Sequence, residues 1–163
     1  MNKDEIDKKL ISERDYINYE YTNKKDLVEN LIKEIDHNVS DYKKINESQD
    51  INGYIEIMDR LIVNMYEISK LLSKIKHIID YYEQIIDNYY NILKINFIGQ
   101  NKAVNKSETL AKIELNQHYI ALNRIKSLYY MLNNYKDTVD KHLNIIMQKV
   151  SFLKNEKRLE DYR

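Results

Sequence analysis

Between Leu115 and Leu153 an apolar or aromatic residue recurs at alternating intervals of three and four, with His118 and Lys136 as the exceptions. This spacing places the row along one side of an α-helix. The helix, residues 107–158, would be roughly 75 Å long at about 1.5 Å per residue. An apolar row of that length must be covered by another helix, from the same chain or from a second copy. The sequence therefore predicts a helical bundle or coiled coil.

The remainder of the chain shows the same helical spacing and little that would interrupt it. It has no proline and only two glycines, so the strongest helix breaker and the usual turn residues of sheet proteins are missing. The predicted fold is all-α, an elongated helical bundle or coiled coil built on a long antiparallel hairpin of residues 54–95 and 107–158. Residues 4–46 are expected to form one helix, or two that divide at 21–25, packed on the hairpin or exchanged between copies.

Apolar residues also define one side of each of the first two helices. In residues 4–46 they are Ile6, Leu10, Ile17, Leu27, Leu31, Ile35, Val39, Tyr42 and Ile45. The main stripe of the second helix comprises Ile51, Ile55, Met58, Ile62, Met65, Ser69, Leu72, Ile75, Ile79, Tyr82, Ile86, Tyr89 and Leu93. A neighbouring stripe of Leu61, Ile68, Leu71, Ile78 and Ile85 makes this face wide enough for more than one partner.

Two connections separate the predicted helices. Residues 47–53 are typical of a turn, with the capping residues Ser48, Asp50 and Asn52. Residues 96–106 form the second connection. At its end Asn105 and Glu108 have the spacing of a capping box, which predicts the start of the third helix.

Charge is distributed unevenly although the net charge is zero. Residues 1–50 carry 9 basic and 13 acidic side chains, whereas residues 101–163 carry 12 and 7. We interpret residues 1–46 as an acidic N-terminal helical segment and residues 47–163 as the hairpin core. An acidic first part and a basic last part of the chain suggest either self-association or a polyanionic partner. The alternative is that these charges only belong to solvated helix faces.

Several functional classes are disfavoured. The chain has no cysteine, so disulfides and thiolate metal sites are excluded. No apolar run is long enough to cross a membrane, and a cytoplasmic protein, in the host cell if a phage encodes it, is expected. Glu34 and His37 have the spacing of a di-iron Glu-x-x-His, but no second copy of it occurs, so we expect no metal and no cofactor. His118 is expected to be a partnered core residue. We therefore predict a protein that is not an enzyme.

The basic side chains of the second half suggest contact with nucleic acid. Lys102 and Lys106 flank the second connection, and Lys154, Lys157 and Arg158 cluster near the end of the third helix. Tyrosines among them could stack on the bases of a single strand. The alternative is that the lysines form a solvated face and the tyrosines belong to the core. Repetition of a modest basic patch in an oligomer would strengthen binding through avidity.

Three stretches, residues 66–74, 106–108 and 128–154, resemble the phage UvsY-type recombination mediators. They read Tyr-Glu-Ile-Ser-Lys-Leu-Leu-Ser-Lys, then Lys-Ser-Glu after a polar turn, then the amphipathic ending that begins Leu-Tyr-Tyr-Met-Leu. The likeness covers about 100 residues, from about Tyr66 to the end. The Lys/Arg-rich arm expected early in such proteins has few basic residues here, since residues 66–100 contain only Lys70, Lys74, Lys76 and Lys94.

The resemblance implies a ring-forming homo-oligomer that binds single-stranded DNA. Such a protein helps to load a RecA-like recombinase onto strands covered by a single-strand binding protein. On this basis the DNA-binding residues would be Lys70, Lys74, Lys76, Lys102, Lys106 and Lys112. The seam between copies would consist of Val139, Leu143, Ile146, Val150 and Leu153.

Two functions are therefore expected. The first is a non-enzymatic, oligomeric mediator of DNA recombination that binds single-stranded DNA. The second is a structural or adaptor coiled-coil protein that acts through protein–protein contacts. Isoleucine, lysine, asparagine and tyrosine make up nearly half of the chain, as an AT-rich genome would encode, which fits a phage, a virus or a low-GC bacterium.

Overall fold

Within the described residues, α-helices are the only regular secondary structure of the chain. A computed structural model describes residues 3–46, 50–100 and 102–161. The helices are α1 (Lys3–Ile45), α2 (Ile51–Gly99), α3 (Val104–Glu114) and α4 (Asn116–Asp161). The all-α prediction, with a helical hairpin made by α2 and α4, is confirmed.

Contacts divide the chain into two units, and α1, α2 and α4 contribute to both. The first unit comprises Met1–Lys25 and Lys74–Tyr129, and the second comprises Asp26–Ser73 and Tyr130–Arg163. This division differs from the predicted boundary at residue 46, which was based on charge and not on packing.

In the first unit the partners of α2 follow each other in reverse order along the chain. Lys94 of α2 pairs with Glu108 of α3 at 2.6 Å, and Glu83 of α2 pairs with Lys126 of α4 at 2.5 Å. As the residue number falls along α2, the number of its partner rises. The arm made by α3 and α4 is therefore antiparallel to α2, as the predicted hairpin requires.

In the second unit α1 is antiparallel to α2 and parallel to α4. Its antiparallel pairing with α2 is fixed by hydrogen bonds from Asn38 to Asn64 at 2.7 Å and from Tyr54 to Asn46 at 3.2 Å. The ring of Tyr42 on α1 meets that of His142 on α4, 6.1 Å apart. Earlier on both helices Asp36 hydrogen-bonds Tyr135, so these two run in the same direction.

Helix α1 is continuous, so the alternative of two helices divided at 21–25 is wrong. The hydroxyl of Thr22 donates to the Asn18 carbonyl at 3.0 Å, within the helix. The predicted apolar stripe is wrong at Leu27, which is 52% exposed while the adjacent Val28 is fully buried, but it is correct at the next two positions, Leu31 and Ile35, which are buried. Residues 17, 21, 24 and 28 follow each other at the helical spacing of the buried side. Because Tyr21 and Lys24 are polar, a search for apolar residues did not connect Ile17 with Val28.

The main stripe predicted for α2 is correct in its second half and wrong in its first. Within the first half Ile62 is 50% exposed, whereas Leu61 and Ile68 of the predicted neighbouring stripe are fully buried. The buried seam includes Asn64, which is 1% exposed. Because this seam position is polar, the pattern of apolar residues favoured the wrong side of the helix.

The connection before α2 is shorter than predicted, and Ser48 lies outside the described residues. The carboxylate of Asp50 accepts a hydrogen bond from the backbone N–H of Asn52 at 3.1 Å, which caps the start of α2. Gly53 is already helical and buried. A Cβ atom on it would lie 2.8 Å from Asp50 Oδ2 and 3.0 Å from Ile45 Cδ1, so close packing explains this glycine.

The second connection is also shorter, because α2 extends to Gly99 and α3 begins at Val104. The predicted capping box is wrong. Ala103 is the N-cap residue and no side chain bonds there, while Glu108 binds Lys94 instead. The predicted third helix is divided at the buried Leu115, whose φ of −88° and ψ of 1° depart from helical values.

Adjacent isoleucines on α4 test the assignment of its buried side. Ile146 is fully buried and Ile145 is 49% exposed. We expect Ile146→Ala to lower the free energy of unfolding by about 2–5 kcal/mol, because it leaves a cavity. Ile145→Ala should change it by less than about 0.5 kcal/mol. Urea unfolding followed by circular dichroism measures both, and equal losses would contradict the assignment.

Candidate functional site

The residues predicted to form a seam between copies are largely covered within one chain. Val139 and Ile146 are fully buried, Val150 and Leu153 are each 7% exposed, and Leu143 is half-buried. They pack in the core of the second unit, so they have little free surface for another copy. An interface at these five residues stays a prediction that would require helices to be exchanged between copies.

A different row of large apolar residues on α4 is exposed to solvent. Ile145, Phe152 and Leu159, here called the outer row, are 49%, 59% and 67% exposed. They are seven residues apart, close to two helical turns, so they lie on one side of α4. Ile145 directly precedes the buried Ile146, and Phe152 directly precedes the buried Leu153. At about 100° per residue, the outer row therefore lies to one side of the buried row.

The end of α4 that carries the outer row is also basic. Leu153 is buried, and every residue from 154 to 159 is exposed. Lys154, Lys157 and Arg158 line a shallow surface depression with Ser151 and Asn155. Over the described part of the chain, none of these three cations forms an ion pair. The favourable position of cations near a helix C-terminus accounts for part of this cluster.

The lysines expected to bind DNA lie on α2, on α3 and in the connection between them. Lys70 and Lys74 are four residues apart on α2, about 40° apart around the helix axis, so they lie on the same side of the helix. Lys74 and Lys76 are two residues apart on α2, which separates their directions by about 200° around the helix axis. Lys106 and Lys112 on α3 are exposed but are likewise offset.

Three of these lysines contact other groups of the chain. Lys70 lies 3.4 Å from Glu67, and Lys76 lies 2.6 Å from Asp80. Lys102 lies over the ring of Phe97, with its Nζ 4.7 Å from the ring centroid. Exposed ion pairs of this kind contribute about 0–1 kcal/mol, so a phosphate could displace the acids, but the pairs reduce the positive field of the surface.

His118 has the partnered core position that the sequence predicted. It is 5% exposed, and its Nδ1 lies 2.8 Å from the Tyr82 hydroxyl. Burial, and secondarily the positive charge of Arg14, lower the pKa of His118. Burial raises the pKa of Tyr82. The pair stays neutral near pH 7, and a hydroxyl donating to an unprotonated Nδ1 satisfies both groups.

An open cleft of about 280 Å³ borders His118 in the first unit. It is lined by Asp7, Leu10, Ile11, Arg14, Leu93, Glu114, Gln117 and His118. His118 thus lines the cleft while its Nδ1 is bonded to the Tyr82 hydroxyl. No nucleophile with an adjacent base lines the cleft, which leaves a partnered structural histidine as the best-supported interpretation.

Glu34 and His37 have separate partners and do not converge on a common point. Glu34 accepts a hydrogen bond from the amide of Asn64 at 2.8 Å, and His37 Nε2 lies 3.4 Å from Asp41. Among the described residues, no three histidine or acidic side chains are grouped as metal ligands would be. Within the same residues, no helix is long and apolar enough to cross a membrane.

Comparison of the chain with protein-family models, curated proteins and solved structures finds no significant match. The site is therefore defined by the geometry of this molecule. Its distinctive feature is the outer row at the basic end of α4. The sequence contained a signal for that row, namely three large apolar residues at intervals of seven, beside the longer stripe that the core uses.

The buried His118 should make stability depend on pH. Since folding lowers the pKa of this group, the unfolded chain binds more protons, and stability falls as the pH drops below the unfolded pKa of about 6.5. We expect the urea concentration at which half of the protein is unfolded to decrease as the pH is lowered from about 7.5 to about 5.5. This decrease should be smaller in His118→Gln. His77→Gln, at an exposed position, is the control. An unchanged pH dependence in His118→Gln would contradict this assignment.

Proposed function

We propose that this chain is a non-enzymatic adaptor protein that acts through protein–protein contacts and pairs with a second copy through the outer row of α4. The observation that carries the proposal is the exposure of Ile145, Phe152 and Leu159 at intervals of seven on one side of the helix. Seven-residue spacing of large apolar side chains is typical of helices that pair along their length. The core uses another side of α4, so pairing would leave the fold of each copy intact.

A second copy fits the outer row better than an unrelated helix because the row is self-complementary. If two α4 helices cross antiparallel about a two-fold axis at Phe152, Ile145 of each faces Leu159 of the other. The same arrangement brings Lys149 near Glu156 of the other copy, since one precedes Phe152 by three residues and the other follows it by four. Opposite charges thus flank an apolar centre, as in paired helices.

Self-association should depend on the outer row and not on exposed apolar surface in general. Ile145 and Met147 are both 49% exposed on α4, but only Ile145 belongs to the row. We expect Ile145→Ser to weaken the dimer about tenfold or more, because it removes an apolar side chain from the interface. Met147→Ser should leave it unchanged. Sedimentation over a concentration series measures the dissociation constants.

Two results would contradict this proposal. One is a wild-type chain that stays monomeric throughout the concentration series. The other is an equal loss of association in Ile145→Ser and Met147→Ser, which would indicate non-specific apolar contact. Circular dichroism of both variants checks that their helices are intact.

A second candidate is the predicted mediator, which would bind single-stranded DNA in the cytoplasm of its host and assist a RecA-like recombinase on strands covered by a single-strand binding protein. The observation that favours it is the exposed basic end of α4, where Lys154, Lys157 and Arg158 lie together. Pairing through the adjacent outer row would place two such ends on one assembly. Repetition of a weak phosphate contact increases the overall affinity.

A fluorescent oligothymidine distinguishes the candidates. A mediator should bind it with an association constant that depends steeply on salt. For each phosphate that the protein neutralises, the logarithm of this constant should fall by about 0.7 for every tenfold rise in salt concentration. Replacing Lys154, Lys157 and Arg158 by glutamine should reduce both the affinity and this slope. The double variant Lys102→Gln, Lys106→Gln tests the predicted loop site in the same way. Absence of binding at low salt would leave only the adaptor function.

A further inference from the structure

A small cleft in the first unit combines two tyrosine rings with a carboxylate. It is lined by Ser12, Glu13 and Tyr16 of α1 and by Tyr81 of α2, and its volume is about 300 Å³. Both tyrosines are accessible, at 45% and 43% exposure. None of these residues belongs to the outer row on which the proposed self-association depends.

The two rings form adjoining walls of this cleft. The ring centroids of Tyr16 and Tyr81 are 6.4 Å apart, and their planes are at 87° to each other. Two perpendicular rings leave a corner in which a ligand can contact the π-face of one and lie beside the other. The negative faces of aromatic rings attract cations placed within about 6 Å of their centroids.

The carboxylate of Glu13 is held at the same corner. The Tyr81 hydroxyl donates a hydrogen bond to Glu13 Oε2 at 3.3 Å. Burial raises the pKa of Tyr81, and the negative charge of Glu13 raises it further. The same charge adds to the effect of burial on the pKa of Tyr89, which lies eight residues further along α2, a little over two helical turns. The charge of Glu13 therefore acts on more than one tyrosine of α2.

The cations nearest in sequence do not neutralise this carboxylate. Arg14 is directed to Asp15, with its Nη2 3.5 Å from Oδ1. Within the described residues, Glu13 forms no ion pair. A cluster of aromatic faces and one carboxylate without a cationic partner is complementary to a positively charged group that is too weakly hydrated to prefer water.

We propose that Ser12, Glu13, Tyr16 and Tyr81 bind an alkylated ammonium group. A quaternary or methylated ammonium fits best, because its methyl groups contact the rings while its charge is balanced by Glu13. A methylated lysine of a partner protein and a choline head group share this chemistry. An ordinary lysine ammonium, which holds its water more strongly, should bind more weakly.

Nuclear magnetic resonance of the full chain with labelled tyrosines tests the proposal. Choline is compared with 3,3-dimethylbutan-1-ol, which has the same shape and no charge. We expect choline to shift the ring signals of Tyr16 and Tyr81 saturably, and the alcohol to shift them weakly or not at all. Equal binding of the two would show an apolar groove and overturn the proposal.

Variants separate the cleft from the rest of the tyrosines. Tyr16→Leu keeps apolar bulk and removes the π-face, and Glu13→Gln keeps the shape and removes the charge. Each should weaken choline binding about threefold or more, from the size of a single cation–π or exposed charge contact. Tyr19→Leu, on the same helix and 63% exposed, is the matched control and should bind as the wild type does.

The source of the ammonium group is settled by two further probes in the same titration. N-acetyl-trimethyllysine amide binding more tightly than choline would indicate a methylated segment of a partner protein. Choline binding more tightly would indicate a head group or a free quaternary amine. Either result supports the site. Failure of both probes to give saturable shifts at Tyr16 and Tyr81 of the wild type would overturn it. Unchanged choline binding by Tyr16→Leu, with this variant shown to be folded by circular dichroism, would also overturn it.

Discussion

The buried asparagine pair between α1 and α2 sets the register on which the second unit depends. Asn38 and Asn64 are 2% and 1% exposed, and Asn64 also donates to the carboxylate of Glu34. Displacing one helix along the other would leave two buried amides without partners, at about 1–3 kcal/mol each. Apolar residues alone would tolerate such a slip better. A polar residue in the seam of paired helices commonly has this role.

The same asparagine explains why sequence reasoning was correct about the fold and partly wrong about the faces. Helical spacing, absence of proline and length were enough to predict an all-α chain with a long hairpin. The side of α2 that is buried could not be read from apolar residues, because Asn64 is part of the seam and Ile62 is not. Similarly, Leu27 on α1 looked like a core residue, but the seam passes through Val28.

Sites built from one helix were easier to predict than sites built from two. The outer row of α4 is visible in the sequence once the core stripe has been assigned, because all its members lie at a fixed spacing. Glu13 and Tyr81, in contrast, are 68 residues apart in sequence, and only their packing brings them together. Spacing also decides which of the predicted lysines lie on the same side of a helix. Lys70 and Lys74, four residues apart, share one side of α2, whereas Lys74 and Lys76, two residues apart, do not.

The two glycines of the chain have unequal tolerance to substitution. A side chain on Gly53 would collide with the capping carboxylate of Asp50 and with Ile45, whereas nothing lies within 4 Å of a Cβ atom on Gly99. A methyl group at the former would require the ends of these two side chains to shift, including the carboxylate that caps α2, whereas a methyl group at the latter would displace nothing. The first turn of α2 therefore has less freedom to change its residue type than the last.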